Sequence, residues 1–416
     1  VIPIDVGIIG AGAAGIFCAA NLGALAPGIK VVVFESTQAP LTKVKISGGG
    51  RCNVTHHLYD PNLLVKNYPR GFKELRGAFA KFQPQDTVAW FKERGVELKV
   101  ESDGRMFPVT DSSQTIIDCL MNECERYGVK VFKGQKIVNI EKPADEFILS
   151  AKSGDVFSVK HLILATGSSA EGHVLASTLG HTITPLAPSL FTFKITDQRL
   201  VGFSGISFPH AALSLTVSGE KLATHQFSGP LLITHWGLSG PAVLKLSAFA
   251  AHDLHQSGYQ ATLKISFTNL SKDQVEERIK SYAVEHSKQL VANHSVVTAI
   301  PQRWWSHLCG YLGIGSELRF AELKATQRRA LAEELSEGTY KVSGKGVFKE
   351  EFVTAGGIDL QEIDFRTMES KKVRGLYFSG ELLNIDGITG GFNFQNAWTT
   401  AILAARAISA QYSSNR

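Results

Sequence analysis

Apolar residues fall in short continuous runs toward both ends of the chain and in alternating runs through its middle. Ile4 to Gly10, Lys30-Val-Val-Val-Phe-Glu35 and His161-Leu-Ile-Leu-Ala-Thr-Gly167 are bounded by turn residues, which suits strands buried in a parallel sheet. Gln135 to Ile140 and Phe147 to Lys152 have strand-like spacing around Pro143 and Asp145. Gly375-Leu-Tyr-Phe-Ser-Gly-Glu381 predicts one more strand, and small residues from about Gln395 to Ile408 predict a helix. Between these ends, Phe191 to Ile195, Ala212 to Val217 and Ala261 to Phe267 are β-rich runs separated by turn signals, the pattern of a small barrel or sandwich. From Ser271 to about Glu337, charged stretches (Asp273 to Lys288, Glu317 to Glu337) predict helices. The expected class is α/β, with a Rossmann-type domain made by both chain ends, 1–189 and 346–416. An inserted β-rich, barrel-like domain (190–270) and a helical subdomain with the return to the first domain (271–345) complete it.

The first turn carries chemistry. Gly10-Ala-Gly-Ala-Ala-Gly15 follows a strand and opens a helix, the arrangement that binds a dinucleotide. Gly10 allows the turn, Gly12 admits a pyrophosphate to the backbone, and Gly15 lets the helix lie close, with Ala13 and Ala14 in its first turn. Glu35, twenty residues after Gly15, ends the next strand where a carboxylate accepts both ribose hydroxyls, with Ser36 beside it. Lys45-Ile46-Ser47-Gly48-Gly-Gly50-Arg51-Cys52-Asn53 is too glycine-rich for a regular helix or central strand, so it is expected as a loop pressed on a ligand. Lys45 and Arg51 add charge there suited to phosphate or a reduced flavin anion. Cys52 has no resolving cysteine nearby and reads as packing. Ala165-Thr166-Gly167 ends a strand at the nucleotide, and Val138 is the candidate for adenine contact.

The carboxyl-terminal segment repeats strand, acid, glycine pair and helix: Gly380-Glu381, then Asp386, then Gly390-Gly391-Phe392-Asn393. Gly390 and Gly391 let backbone approach a flat ring, and the following helix end carries about half a positive charge. Two-electron reduction of an isoalloxazine leaves negative charge that such an end stabilises. A nicotinamide dehydrogenase has no use for this segment, so FAD is the implied cofactor. No second glycine fingerprint follows Gly167, which leaves NAD(P)H as a transient reductant.

Composition narrows the partners. The formal charge is +5, with 43 Lys and Arg against 38 Asp and Glu, a weak lean toward anions. Arg319, Lys324, Arg328 and Arg329 are offset by Glu317, Glu322, Glu333 and Glu334, which reads as a solvated face. If the partner is RNA, Lys66, Arg70, Lys73 and Arg76 are expected along one rim of the flavin cleft. The five cysteines form no C-x-x-C pair, so neither a metal site nor a disulfide framework is expected, and a reducing compartment fits. With no run of eighteen apolar residues and no leader pattern, a cytoplasmic, non-membrane protein is expected. Because the chain starts at Val1, an organelle stays open. Oligomeric state is not legible.

With these motifs, the chain resembles the HI0933-like (BaiN-type) flavoproteins nearly end to end. The most specific matches are Gly10 to Gly15, Lys45 to Asn53, Thr234-His-Trp-Gly-Leu-Ser-Gly-Pro241, Thr354-Ala-Gly-Gly357, Thr367-Met-Glu-Ser-Lys371 and Gly387 to Gln395. The resemblance implies an FAD domain interrupted by β-rich and helical insertions, with the flavin between them. It also implies one of several activities: reduction of conjugated double bonds in steroid-like acids, amine oxidation, or reduction of a uridine in ribosomal RNA. Here Asn384-Ile-Asp386 and Phe392 replace an expected Asp-x-Asp and Tyr, leaving the flavin site intact. His235-Trp236, in a turn bounded by Gly, Ser and Pro, reads equally as a structural turn or as rings placed over a cofactor. Arg51 and His235 are the candidate catalytic residues. The reading that results is an FAD reductase passing hydride from NAD(P)H to an activated C=C bond, in a small enone or an RNA uridine. An O2-using amine oxidase and a redox-silent RNA-binding factor are the alternatives.

Overall fold

The described residues, in a computed structural model, are 3–218, 222–346 and 353–413. Strand β1 (Pro3–Ile9) is followed by helix α1 (Ala13–Leu25), β2 (Val31–Phe34) and an interrupted helix α2 (Thr42–Gly50). Next come β3 (Lys130–Phe132), β4 (Ile137–Glu141), β5 (Phe147–Ala151) and β6 (Val156–Leu164); β7 (Leu376–Phe378) and α3 (Phe392–Ser413) close the set. Val6, Ile8, Val33, Leu162, Ile163 and Leu376 are all inaccessible, as apolar runs between covered faces require.

These strands pair in parallel in the order β3-β2-β1-β6-β7. The registers set Val6 against both Val31 and His161, and Leu376 against Leu162. The carboxyl-terminal strand thus adds to a sheet begun at the other end of the sequence. Strand order reverses between β1 and β6, and ligands of open parallel sheets bind beyond the strand ends at such a point. The hairpin of Ile363–Asp364 and Glu369–Ser370 extends the β7 edge antiparallel. Helix α1 is apolar nearly all round because it is covered by both sheet and α3. Phe17 is fully buried, with ring centroids 4.6 Å from Trp90 and 5.0 Å from Trp398. A ring so buried contributes about 1.5–3 kcal/mol.

Two compact units result, one containing residues up to Leu186 and from Thr354 onward, the other Ala187–Val353. In the second, the described residues form a seven-stranded antiparallel path with helices packed on it, and its two end strands, Gly338–Val342 and Gly344–Lys345, are consecutive in the chain. Its long strands are Ser207–Val217 and Ala223–Thr234, paired from Ser207↔Leu232 to Val217↔Ala223. The segment 271–345 has no core of its own. Trp304 and Leu331 from its helices join Phe208 and Ile265 from the strands in one buried cluster. Its last residues, Gly338–Val342 and Gly344–Lys345, are strands of the same sheet. The run expected as one helix from Glu317 is instead a short 3-10 turn (Phe320–Glu322) and a helix, Ala325–Glu337, with Arg319 and Lys324 outside both. Among the described residues, no helix is long and apolar enough to cross a membrane.

Candidate cofactor site

The chain leaves β1 at the switch point. Ala165 donates its N–H to the Ile9 carbonyl at 2.9 Å, and Gly10 donates to the Phe34 carbonyl at 2.9 Å. The three fingerprint glycines have different surroundings. An added Cβ at Gly10 would stand 2.5 Å from the Ala165 carbonyl oxygen, and at Gly15 1.9 Å from that of Gly10. At Gly12 it would meet nothing within 4 Å. Gly12 caps α1 without any side-chain bond, and the first turn, with Ala13 and Ala14, holds no acid. The amino-terminal N–H groups of α1 therefore open onto free space, an arrangement made for an anion.

Glu35 is fixed beside this turn. One carboxylate oxygen accepts from Ala11 N–H at 2.9 Å. The other accepts from Thr37 N–H at 2.8 Å, Thr37 hydroxyl at 2.9 Å and Ser36 hydroxyl at 3.2 Å. The first oxygen keeps a lone pair for a ribose hydroxyl. Gln135 N–H reaches the Glu35 carbonyl at 2.7 Å and so brings β4 alongside. The β4–β5 register slips between Ile137 and Asn139, leaving Val138 as the extra residue of a bulge. Its side chain is half exposed, the way a bulge re-aims a residue.

The segment expected as a loop is helical at first and then breaks. Ser47 is extended, and Gly48, Gly49 and Gly50 have φ of 58°, 70° and 83°. Lys45 and Ile46 are exposed, and Ser47 Oγ donates to the Val44 carbonyl at 2.9 Å. Arg51 turns to carboxylates, with Glu101 at 2.6 Å and Asp111 at 3.5 Å, and lies 4.0 Å over the Phe107 ring. Its charge is offset there. Cys52 is fully buried, and burial pushes its thiol up to about 12, which keeps it neutral and unreactive. The Asn53 amide donates to the Thr55 carbonyl at 3.0 Å and accepts from Gly391 N–H at 2.9 Å, joining the two ends of the sequence.

That junction is built by residues without a local motif. His56 Nδ1 lies 3.0 Å from the Gly390 carbonyl, and its ring stacks on Phe392 at 4.7 Å. Tyr68 donates its hydroxyl to the Phe392 carbonyl at 2.6 Å. Asn393 and Gly387 exchange two hydrogen bonds, at 2.8 and 2.9 Å, closing the turn before α3. At Gly391 (φ 90°) a Cβ would stand 2.5 Å from the Thr55 carbonyl oxygen. Asp386 is wholly buried and paired through both oxygens with Arg70, so Arg70 faces inward rather than along a surface rim. Lys66, Lys73 and Arg76 remain exposed. Gln395 accepts from Thr55 at 2.6 Å and Thr87 at 2.9 Å, anchoring the first turn of α3.

At the ends of β6 and β7, Lys43 pairs with Glu381 at 2.6 Å and donates to Ser168 Oγ at 3.0 Å. Gly380 N–H donates to Thr400 Oγ1 at 2.9 Å, and a Cβ there would stand 2.9 Å from that of Ala14. Gly167 would bring one to 3.9 Å from Glu381, and the Thr166 hydroxyl is buried without a partner. Lys43, His56 and Tyr68 carry no sequence signal, and the sequence pattern suggests other roles for Arg70 and Gln395; only pairing across some three hundred residues gives these five their place. His235 and the half-exposed Trp236 lie in the second unit, on the turn from Ala223–Thr234 to Gly237–Ser239. Among the described residues, no group of three or more His, Cys, Asp or Glu side chains is arranged to hold a metal ion.

FAD fits these residues. Space at Gly12 before an uncapped helix end suits a pyrophosphate, Glu35 suits the ribose, and the apolar Val138 suits a purine face. The chain is similar at full length to characterised proteins. The ribosomal RNA dihydrouridine synthase of Haemophilus influenzae is 32% identical, covering 97% of this chain and 98% of that one. A 3-dehydro-bile acid delta(4,6)-reductase of Clostridium scindens is 27% identical over 97% of this chain and 98% of its own. In fold, the crystal structure of 3-ketosteroid-delta4-(5alpha)-dehydrogenase from Rhodococcus jostii superposes with a TM-score of 0.51 at 12% identity, covering 98% and 97% of the two chains. Residues 4–407 match the HI0933-like protein Rossmann domain, and the chain therefore belongs to the HI0933-like Rossmann family of FAD-dependent oxidoreductases.

Proposed function

We propose that this protein reduces the C5=C6 bond of a uridine in ribosomal RNA, using NAD(P)H as transient reductant. The observation that carries this reading is end-to-end similarity, at 32% identity, to a ribosomal RNA dihydrouridine synthase. The second relative, a bile acid delta(4,6)-reductase, points to the same bond chemistry on another skeleton. In both cases the double bond is conjugated to a carbonyl, which makes it electron-poor. The chemistry that bound FAD supplies is two-electron transfer as hydride, from a nicotinamide to such a bond.

The chain's own residues bind and hold. The open end of α1 takes the pyrophosphate, and Glu35 takes the ribose. Gly390 and Gly391, held by His56, Asn53 and the neighbouring Tyr68–Phe392 bond, would let the backbone and the amino end of α3 lie beside the flavin ring. That end stabilises negative charge without reorganising.

The test is anaerobic mixing of the FAD-loaded protein with NADH or NADPH, followed by unmodified ribosomal RNA. Bleaching by the nicotinamide, return of colour with RNA, and dihydrouridine in the digested RNA are expected. Return of colour with a 3-oxo-enone but not with RNA overturns the RNA substrate. Bleaching by amines alone marks an oxidase.

A further inference from the structure

We propose that the β7 edge of the sheet, away from the cofactor crevice, is a second contact surface for the phosphate backbone of the RNA; the proposal rests on the RNA reading above. Two open cavities flank the hairpin of Ile363–Asp364 and Glu369–Ser370. One, of about 720 Å³, is lined by Lys371, Lys372 and Arg374 with Glu369 and Gln411. The other, of about 430 Å³, is lined by Lys81, Arg366 and Arg406. Together the two walls carry six cationic side chains and one carboxylate, where the whole chain is nearly balanced at 43 to 38.

Four of the six cations have no carboxylate beside them at ion-pair distance among the described residues. Lys372 is held by Glu362 at 2.5 Å and Arg366 by Asp364 at 2.8 Å. Lys81, Lys371, Arg374 and Arg406 are in no ion pair among the described residues. The basic helix of the second unit differs, because there Glu276 takes both Arg328 and Arg329. Charged residues also guard sheet edges against pairing with another chain. A guard works with either sign and needs no cavities, whereas this edge presents an excess of positive charge beside two of them. The Thr367–Lys371 motif supports the surface: Ser370 Oγ accepts from Lys372 N–H at 3.0 Å and Val373 N–H at 2.8 Å, and meets His181 at 2.9 Å. The loop bearing Lys371 and Arg374 is thereby held in shape.

Position excludes a role in the flavin site itself. Leu403 and Gln411, which line the two cavities, lie about 17 and 29 Å along α3 from Phe392 at 1.5 Å per residue. A small substrate at the crevice does not reach that far; a folded RNA does. Backbone phosphates contacted by Lys and Arg add affinity without reading sequence and fix the position of the nucleic acid.

The experiment measures binding of a ribosomal RNA fragment to the FAD-loaded protein at several salt concentrations. Three proteins are compared: wild type, Lys371→Gln with Arg374→Gln, and Lys81→Gln with Arg406→Gln. Each neutralised pair should weaken binding at least about tenfold at low salt and flatten the log–log salt slope by roughly 1.4–1.8. Flavin content and NAD(P)H-driven bleaching should stay unchanged in both. The charge-conserving pair Lys371→Arg with Arg374→Lys should bind as wild type does, which separates charge from folding. Wild-type binding with an unchanged slope in both neutralised variants overturns this surface and leaves the RNA reading standing. Absence of wild-type binding at low salt overturns both.

Discussion

Several polar groups at the candidate site are already oriented by neighbours. Glu35 shows this most clearly: Ala11 N–H and the Thr37 groups hold its carboxylate at the glycine turn, while one oxygen keeps capacity for a ligand. Replacing Glu35 with Ala should therefore weaken FAD by about 1.5–3 kcal/mol, the worth of hydrogen bonds to a charged group. Because the side chain is only partly buried, the fold should survive. The check is flavin retained after dilution and gel filtration, and full retention overturns the ribose assignment. Arg51 is oriented in the same way, by Glu101 and Asp111, which balance its charge.

Among the elements, the turn before α3 is decisive, because it joins residues near 55–70 to residues near 386–393. Arg70 and Asp386 are the electrostatic part of this joint, and Asp386 is fully buried. Removing one member of a buried pair leaves a charge that neither solvent nor protein balances. Arg70→Met should cost about 3–5 kcal/mol of stability. Flavin affinity should fall with it, since Gly390 and Gly391 follow Asp386 in the same turn. Denaturant titration and flavin occupancy measure the two effects. A change under about 1 kcal/mol would show that the pair is not stabilising.

For the whole molecule, both chain ends share one sheet, and β7 pairs only after everything between has been made. A fragment 1–345 lacks β7 and α3, the elements that cover β6 and α1. It should be poorly soluble and bind no flavin, because Leu162, Ile163 and Phe17 would lose their cover. Recovery of soluble, yellow 1–345 protein contradicts this architecture.

Local pattern was enough for four of the five parallel strands, the glycine turn and the terminal helix; the short edge strand Lys130–Phe132 carries no such run. Buried strands are continuous apolar runs, and a backbone that must approach a phosphate has to be glycine. The observed bounds, Pro3–Ile9 and Val31–Phe34, lie within a residue of the apolar runs that predict them. The helix from Gln395 to Ile408 lengthens to Phe392–Ser413, because its ends are held by partners rather than by its own pattern. Composition also separated the β-rich middle from the helical stretch after it, yet their side chains merge into one core, since a helix with one apolar face takes whichever sheet is beside it. The remaining features were decided by tertiary structure alone. His56, Tyr68, Arg70 and Lys43 are ordinary polar residues until a distant segment supplies the other half of each bond. Spacing along a chain encodes helices and strands of a few turns; charge pairing and ring stacking act over a few ångströms of space, and only the folded sheet brings the two ends of this chain that close.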